Sequence, residues 1–252
     1  MSEELNRVRD CWDSKAADWK IQVGDSGDQN RQLNSDPVLH ELLGETSGLT
    51  ILDVGCGTGY LVGMLAKKQA KMIGVDVSPA MIAIASRDVP AGDFRVDDSS
   101  QLATVEDQSV DKIVSNYVLM DTPHLDQTMN AMFRVLKPGG IAVLVFSHPC
   151  FPQGPDRVTV EDRISYHWGE SYFDQQRRHD RPWNHFQTEF VWYHRPVSDY
   201  FQSFRRAGFT VDEMREPRIP EDWIDKCSSP EQIRSYRERP MSIAFRLIRP
   251  RG

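Results

Sequence analysis

The segment LDVGCGTGY, residues 52–60, narrows this chain to few folds. An apolar run ends in an aspartate, and three glycines fall within five positions before an apolar helical pattern begins. Glycines so placed permit left-handed backbone and let the main chain pass close to another group. Strand, glycine-rich turn and helix in that order form the first half of a βαβ unit. Gly55, Gly57 and Gly59 read GxGxG with Tyr60 in the sixth position, so the last glycine of a dinucleotide fingerprint is missing. No lysine follows them, which removes the P-loop reading.

The alternation continues downstream. Apolar runs predict strands at 49–54, 71–76, 93–98, 111–118 and 141–147. Helices are predicted at 59–69, after Ser78 as N-cap with Pro79 first, and at 124–138 before Pro138-Gly139-Gly140. This order predicts an α/β fold, a parallel sheet covered on both faces. Upstream, Leu5, Val8, Trp12, Ala16 and Trp19 recur near a 3.6-residue period and predict one helix over 4–20. A polar loop follows, then a short helix over 37–43 with Asp36 as its N-cap. Residues 148–195 are rich in Pro, His and aromatic side chains and lack a long period; a helix over 197–208 and the strands FTVDEMRE and SIAFRLIR close the chain. A single domain of 252 residues is expected: a helical cap (1–44), a core (49–147), a lid insertion (148–195) and a C-terminal helix with strands (196–252).

Composition excludes several function classes. No apolar run approaches the ~18 residues of a membrane span, and the polar start MSEELNRVRD leads to the expectation of no signal peptide. Cys11, Cys56, Cys150 and Cys227 stand singly, which points away from disulfides and structural zinc and toward a reducing cytoplasm. A net charge of −7 argues against nucleic acid as the main partner, although 177–182 and the tail 234–251 are locally basic.

Polar groups recur at successive strand ends: Asp53, Asp76, Asp97-Asp98 and Asn116. Open α/β sheets bind ligands there, and Asp76 is spaced to accept both hydroxyls of a ribose. Plainer readings stay open: Asp53 as a helix cap, Asn116 as a partner for strand-end backbone.

The set ILDVGCGTGYL, GVDVSPAMI, FRVDDSSQL, DKIVSNYVL and RVLKPGG, over residues 49–147, resembles the class I S-adenosylmethionine-dependent methyltransferases. The resemblance implies a Rossmann-like seven-stranded sheet with SIAFRLIR as its one antiparallel strand. It implies S-adenosylmethionine as cofactor and S-adenosylhomocysteine as product. The turn Gly55, Cys56, Gly57, Gly59 and Tyr60 would hold the methionine part beside Asp53, with Asp76 and Val77 at the ribose. Asp98, favoured over Asp97 by the motif register, would take the adenine amino group and Ser99 main chain the ring edge. Met81 would pack near the adenine, and Asn116 and Tyr117 would border the methionine and methyl. The family often closes its site with an N-terminal segment, so Trp19 is expected as a roof and Arg31 as partner of the methionine carboxylate.

Methyl transfer from a sulfonium is an in-line displacement whose main demand is alignment, with proton removal where the acceptor needs it. Tools for that are expected after strand five. His148 is a candidate base or a pocket residue. Tyr193, His194 and Arg195 precede a helix; Arg195 could fork onto a substrate carboxylate or hold the lid. Cys150 follows strand five, whereas the Pro-Cys pair of cytosine methyltransferases follows strand four. The expected partner is therefore a small molecule, aromatic or carboxylate-bearing. The alternatives are tRNA or protein methylation, and a cofactor binder that transfers no methyl group.

Overall fold

The computed structural model describes residues 3–151, 157–160, 163–166, 169, 171–219, 229, 233 and 237–251. Cys227 and much of the stretch before the last strand lie outside them. The N-terminal segment forms α1 (Glu3–Asp13), α2 (Ala16–Val23), a π-helical turn (Arg31–Ser35) and α3 (Asp36–Leu43). The alternating core runs β1 (Thr50–Val54), α4 (Tyr60–Ala66), β2 (Lys71–Asp76), α5 (Pro79–Asp88), β3 (Asp93–Val96), β4 (Val110–Asn116), α6 (Leu125–Val135) and β5 (Leu136–Ser147). Two hairpins follow, β6 (Arg157–Val160) with β7 (Arg163–Tyr166) and β8 (Gln176–Asp180) with β9 (Phe190–His194). The chain then makes α7 (Val197–Arg206), β10 (Thr210–Arg215) and β11 (Ser242–Ile248).

The main sheet has seven strands in the order β10-β11-β5-β4-β1-β2-β3. Only β11 runs against its neighbours, pairing antiparallel with both β5 and β10. Successive residues of each central strand feed opposite faces, as the two-residue period dictates. Ile51 and Val143 join the core under α3 and α4, while Leu52 and Leu144 join the core under α6 and α7. The order reverses at β1 and β4, and their carboxyl ends open the crevice where such sheets take ligands.

Three local expectations are corrected. The helix predicted over 4–20 breaks at Ser14-Lys15, because the Lys15 side chain turns inward, is buried, and sets its ammonium 3.3 Å from the Cys11 carbonyl and 5.0 Å from the Phe190 ring centre. Asp36 does not cap α3: the π-helical turn runs straight into that helix, and the Asp36 carboxylate accepts the Tyr60 hydroxyl at 3.0 Å. Helix 124–138 stops at Val135, where β5 begins two residues before Pro138. No helix among the described residues is long and apolar enough to cross a membrane.

Candidate functional site

The glycine-rich turn leaves β1 with φ of 77° at Gly55 and 52° at Gly57, values glycine adopts without strain. A Cβ on Gly55 would stand 2.3 Å from Val118 Cγ2, so this glycine is required by the loop after β4. A Cβ on Gly57 would stand 3.4 Å from the Trp19 indole nitrogen, which sets α2 directly against the turn. Asp76, at the end of β2, accepts the Gly57 and Ser78 amides at 2.9 Å each and fixes the turn from the neighbouring strand.

Beside the turn lies a cavity of about 880 Å³, its outer part open to solvent. Asp53, Gly55, Cys56, Gly57 and Tyr60 form one wall; Asp76, Val77 and Met81 form the next. Asp97, Ser99, Asn116 and Tyr117 contribute from β3 and β4, and Trp19 and Arg31 close over them. Two expected residues lie off this wall. Gly59 faces inward, where a Cβ would meet Phe94 at 2.9 Å, so it serves helix-on-strand packing. Asp98 turns into its own loop and accepts the Ser100 amide and hydroxyl at 2.8 and 2.7 Å. Asp97 reaches the wall but already accepts the Ala103 and Thr104 amides and the Thr104 hydroxyl.

The cavity wall is acidic, with Asp53, Asp76 and Asp97 on it. Burial, reinforced by Asp76, pushes the Asp53 carboxyl up to about 8, with Arg31 opposing the shift. Burial likewise raises Asp76 to about 6, against the two amides that favour its charged form. Arg31 is buried, pairs with Asp28 at 3.0 Å, and places its guanidinium 4.9 Å from Trp19, 5.6 Å from Tyr60 and 5.5 Å from Tyr117.

Two buried polar atoms on this wall have no partner among the described residues: Arg31 Nε, a donor, and Asn116 Oδ1, an acceptor. Such orphans are costly unless a ligand satisfies them. A carboxylate and an ammonium on one ligand would answer both, as the amino-acid end of S-adenosylmethionine does. Tyr117 holds a left-handed φ of 60°, and its hydroxyl meets Asn30, Asn34 and Ser242 at 2.9, 3.1 and 2.5 Å. A non-glycine residue kept in that region costs about 1–3 kcal/mol and is characteristic of sites.

A second cavity, of about 1280 Å³ with its solvent-open part included, adjoins the first; Trp12, Trp19, Arg31, Tyr117 and Asp121 face both. His148, Tyr193, His194 and Arg195 all line it. The geometry gives each a structural partner. His148 Nδ1 accepts the Cys150 amide at 3.2 Å, so its Nε2 proton faces Glu216 at 2.9 Å. Burial outweighs Glu216 and lowers the His148 pKa. His194 Nε2 lies 2.8 Å from the Tyr172 carbonyl. Among the described residues Arg195 forms no ion pair with an acidic neighbour. It donates to the carbonyls of Thr122 at 2.7 Å and Pro123 at 3.1 Å, with Leu119 at 3.4 Å, and so clamps the segment after β4. Tyr193 packs its ring under that guanidinium at 5.3 Å.

Asp121 is the functional candidate that the sequence reading missed. It faces both cavities from the loop after β4, and burial with Asp180 and Asp76 nearby holds its carboxyl well above the usual carboxylate range. The signal available was the polar end of NYVLMD, three residues beyond the end of the strand predicted over 111–118.

The sequence profile of a methyltransferase-domain family matches residues 45–186. An uncharacterised Haemophilus influenzae protein is 25% identical over 73% of this chain and 76% of its own length. A demethylmenaquinone methyltransferase of Chlorobaculum parvum is 37% identical over 42% of this chain and 43% of that enzyme. The chain spans less than half the length of the relatives whose names give a methyl acceptor. The crystal structure of an S-adenosylmethionine-dependent methyltransferase from Mesorhizobium loti superposes with a TM-score of 0.71 over 84% of this chain and 95% of that one, at 22% identity. The fold is that of this class, and the chain is a member of the methyltransferase-domain family. Its cofactor is S-adenosylmethionine.

Proposed function

We propose that this protein transfers the methyl group of S-adenosylmethionine to a small-molecule acceptor bound in the second cavity. The observation that carries the reading is the shared wall between the two cavities, where Trp12, Trp19, Arg31, Tyr117 and Asp121 face both. A methyl group presented at that wall from the first cavity meets an acceptor held in the second. When bound, the cofactor supplies an electrophilic methyl carbon on a sulfonium whose leaving group is a neutral thioether.

The chain's own residues align and enclose. Asp76 takes the ribose hydroxyls, Arg31 the methionine carboxylate, and Asn116 Oδ1 with Asp53 the amino group. Met81, Asp97 and Ser99 border the adenine. Trp19 roofs the turn, and the cap helices and the β8–β9 hairpin act as a lid that excludes water. His148 serves as a pocket residue, since both of its ring nitrogens are engaged. A reducing, cytoplasmic setting agrees with the free thiols of Cys11, Cys56 and Cys150.

The test is incubation of the purified protein with methyl-labelled S-adenosylmethionine and a fractionated small-molecule extract. Label in a small product, with S-adenosylhomocysteine formed in equal amount, is expected. Label only in RNA or protein fractions would replace the acceptor class, and cofactor binding without turnover would leave a non-methylating binder.

A further inference from the structure

The acceptor chamber is walled by rings. The two-residue period of β9 sets Phe190, Trp192 and His194 on one face of the β8–β9 hairpin, and all three line the chamber. From the cap, Trp12 stands edge-on to Phe190 at 5.9 Å and to Trp19 at 5.0 Å, and Trp183 stacks on Phe190 at 5.3 Å. Aromatic pairs gain energy in offset or edge-on contact, with ring centres about 4.5–7 Å apart. A saturated skeleton of equal size fills the same space without that gain. Trp192 adds a polar demand: its Nε1, a donor, is buried and has no hydrogen-bond partner among the described residues. An oxygen on the occupant would satisfy it. Charge in the lining balances. Arg31 and Arg195 bring two guanidinium groups, and Asp28 and Asp180 bring two carboxylates. Asp121, whose carboxyl burial holds well above the usual carboxylate range, adds no third anion near pH 7, and His148, its pKa lowered by burial, adds no cation. A fixed charge of either sign on the occupant would upset this balance, and an uncharged occupant leaves it intact.

We propose that the methyl acceptor is an uncharged, flat aromatic compound carrying an oxygen, and that Trp192 selects it, with the indole ring against the acceptor ring and the indole N–H on that oxygen. The inference rests on the methyltransferase reading above. Trp192 lines the acceptor chamber and not the cofactor cavity, so it acts on the choice of acceptor alone.

Binding of shape-matched probes tests this without turnover. Protein saturated with S-adenosylhomocysteine is titrated calorimetrically with 2-naphthol and with decahydro-2-naphthol, which keeps the hydroxyl and the carbon skeleton but not the flat rings. The naphthol is expected to bind at least tenfold tighter than its saturated analogue, equivalent to about 1.4 kcal/mol. It should also bind tighter than the anion 2-naphthoate and the cation 2-(aminomethyl)naphthalene. Two variants separate the parts of Trp192, and both should keep wild-type affinity for S-adenosylhomocysteine. Trp192→Phe keeps a ring and removes the N–H, so both alcohols should weaken by a similar factor and the preference should stay. Trp192→Leu removes the ring as well, and the preference should fall toward parity. The wild-type comparison carries the test should either variant unfold. Equal or tighter binding of the saturated alcohol or of a charged probe, or no binding of the naphthol at about 1 mM, would overturn the proposal. So would full naphthol affinity in Trp192→Phe or a preference that survives Trp192→Leu. Failure of the wild-type protein to bind S-adenosylhomocysteine would overturn the methyltransferase reading instead.

Discussion

Asp53 carries most of the site's electrostatic tension, because it is a buried carboxyl beside a second one. Its pKa of about 8 means the folded chain keeps a proton there that the unfolded chain has already lost above about pH 4. Stability of the ligand-free protein should therefore fall as pH rises through that window. Asp76, raised to about 6, contributes only to the lower part, so the fall between about pH 6 and 8 belongs to Asp53 together with Asp121, whose carboxyl is also held well above the usual range by burial. Replacing Asp53 with Asn should flatten that part of the Tm-against-pH curve; an unchanged slope would show that Asp53 does not hold the proton. Asp76→Ala should weaken S-adenosylhomocysteine binding by about 1.5–3 kcal/mol, the worth of charge-assisted bonds to a ribose. Calorimetry giving wild-type affinity in a folded variant would remove Asp76 from the site. Both carboxylates were legible in the sequence because each sits at a fixed offset from a strand end. The choice of Asp98 over Asp97 was less so, since both side chains also serve the turn that follows, and only burial separates them.

Among the elements, the broken N-terminal helix changes most between sequence and structure. Seven residues along a straight helix separate Trp12 and Trp19 by roughly 10 Å along its axis. The break at Ser14-Lys15 brings their ring centres to 5.0 Å, and α2 then lays Trp19 on Gly57. Periodicity marked both tryptophans as one apolar face but could not show the break, which depends on Lys15 meeting Phe190, a residue of β9. The seven-stranded sheet with β11 antiparallel was legible, because the apolar runs supply the strands and the family resemblance supplies the direction of the last one; their order came from the structure. Roofing by this segment predicts that deleting residues 1–31 leaves a folded sheet while weakening S-adenosylhomocysteine at least tenfold, about 1.4 kcal/mol. Arg31→Met, which removes from the cap the guanidinium with its orphaned Nε and its pair with Asp28, should reproduce much of that loss. Full affinity in both variants would place the roof elsewhere.

Across the whole molecule, the site draws on both ends of the chain. Ser242, the first residue of β11, is fully buried and faces the Tyr117 hydroxyl at 2.5 Å. It also receives the Asn34 amide at 2.6 Å, a contact 208 residues apart in sequence. No local pattern announces such a contact; it exists because antiparallel pairing in register sets Ser242 opposite Ser147 at the carboxyl end of β5. The consequence is that cofactor binding and closure of the last strand should be coupled through Tyr117. Saturating S-adenosylhomocysteine at 100 times its Kd contributes about 2.7 kcal/mol. For a domain of this size that corresponds to a Tm rise of roughly 5–10 °C. Ser242→Ala removes one buried hydrogen-bonding group, about 1 kcal/mol, so the unliganded Tm should fall only slightly. Tyr117 would then lose the strand that holds its strained backbone, and the rise produced by the same ligand concentration should shrink by more than the unliganded Tm falls. Differential scanning calorimetry of the two proteins, with and without ligand, makes the comparison. An unaltered ligand-induced rise would mean that Asn30 and Asn34 alone hold Tyr117, and that the last strand supports the fold but not the site.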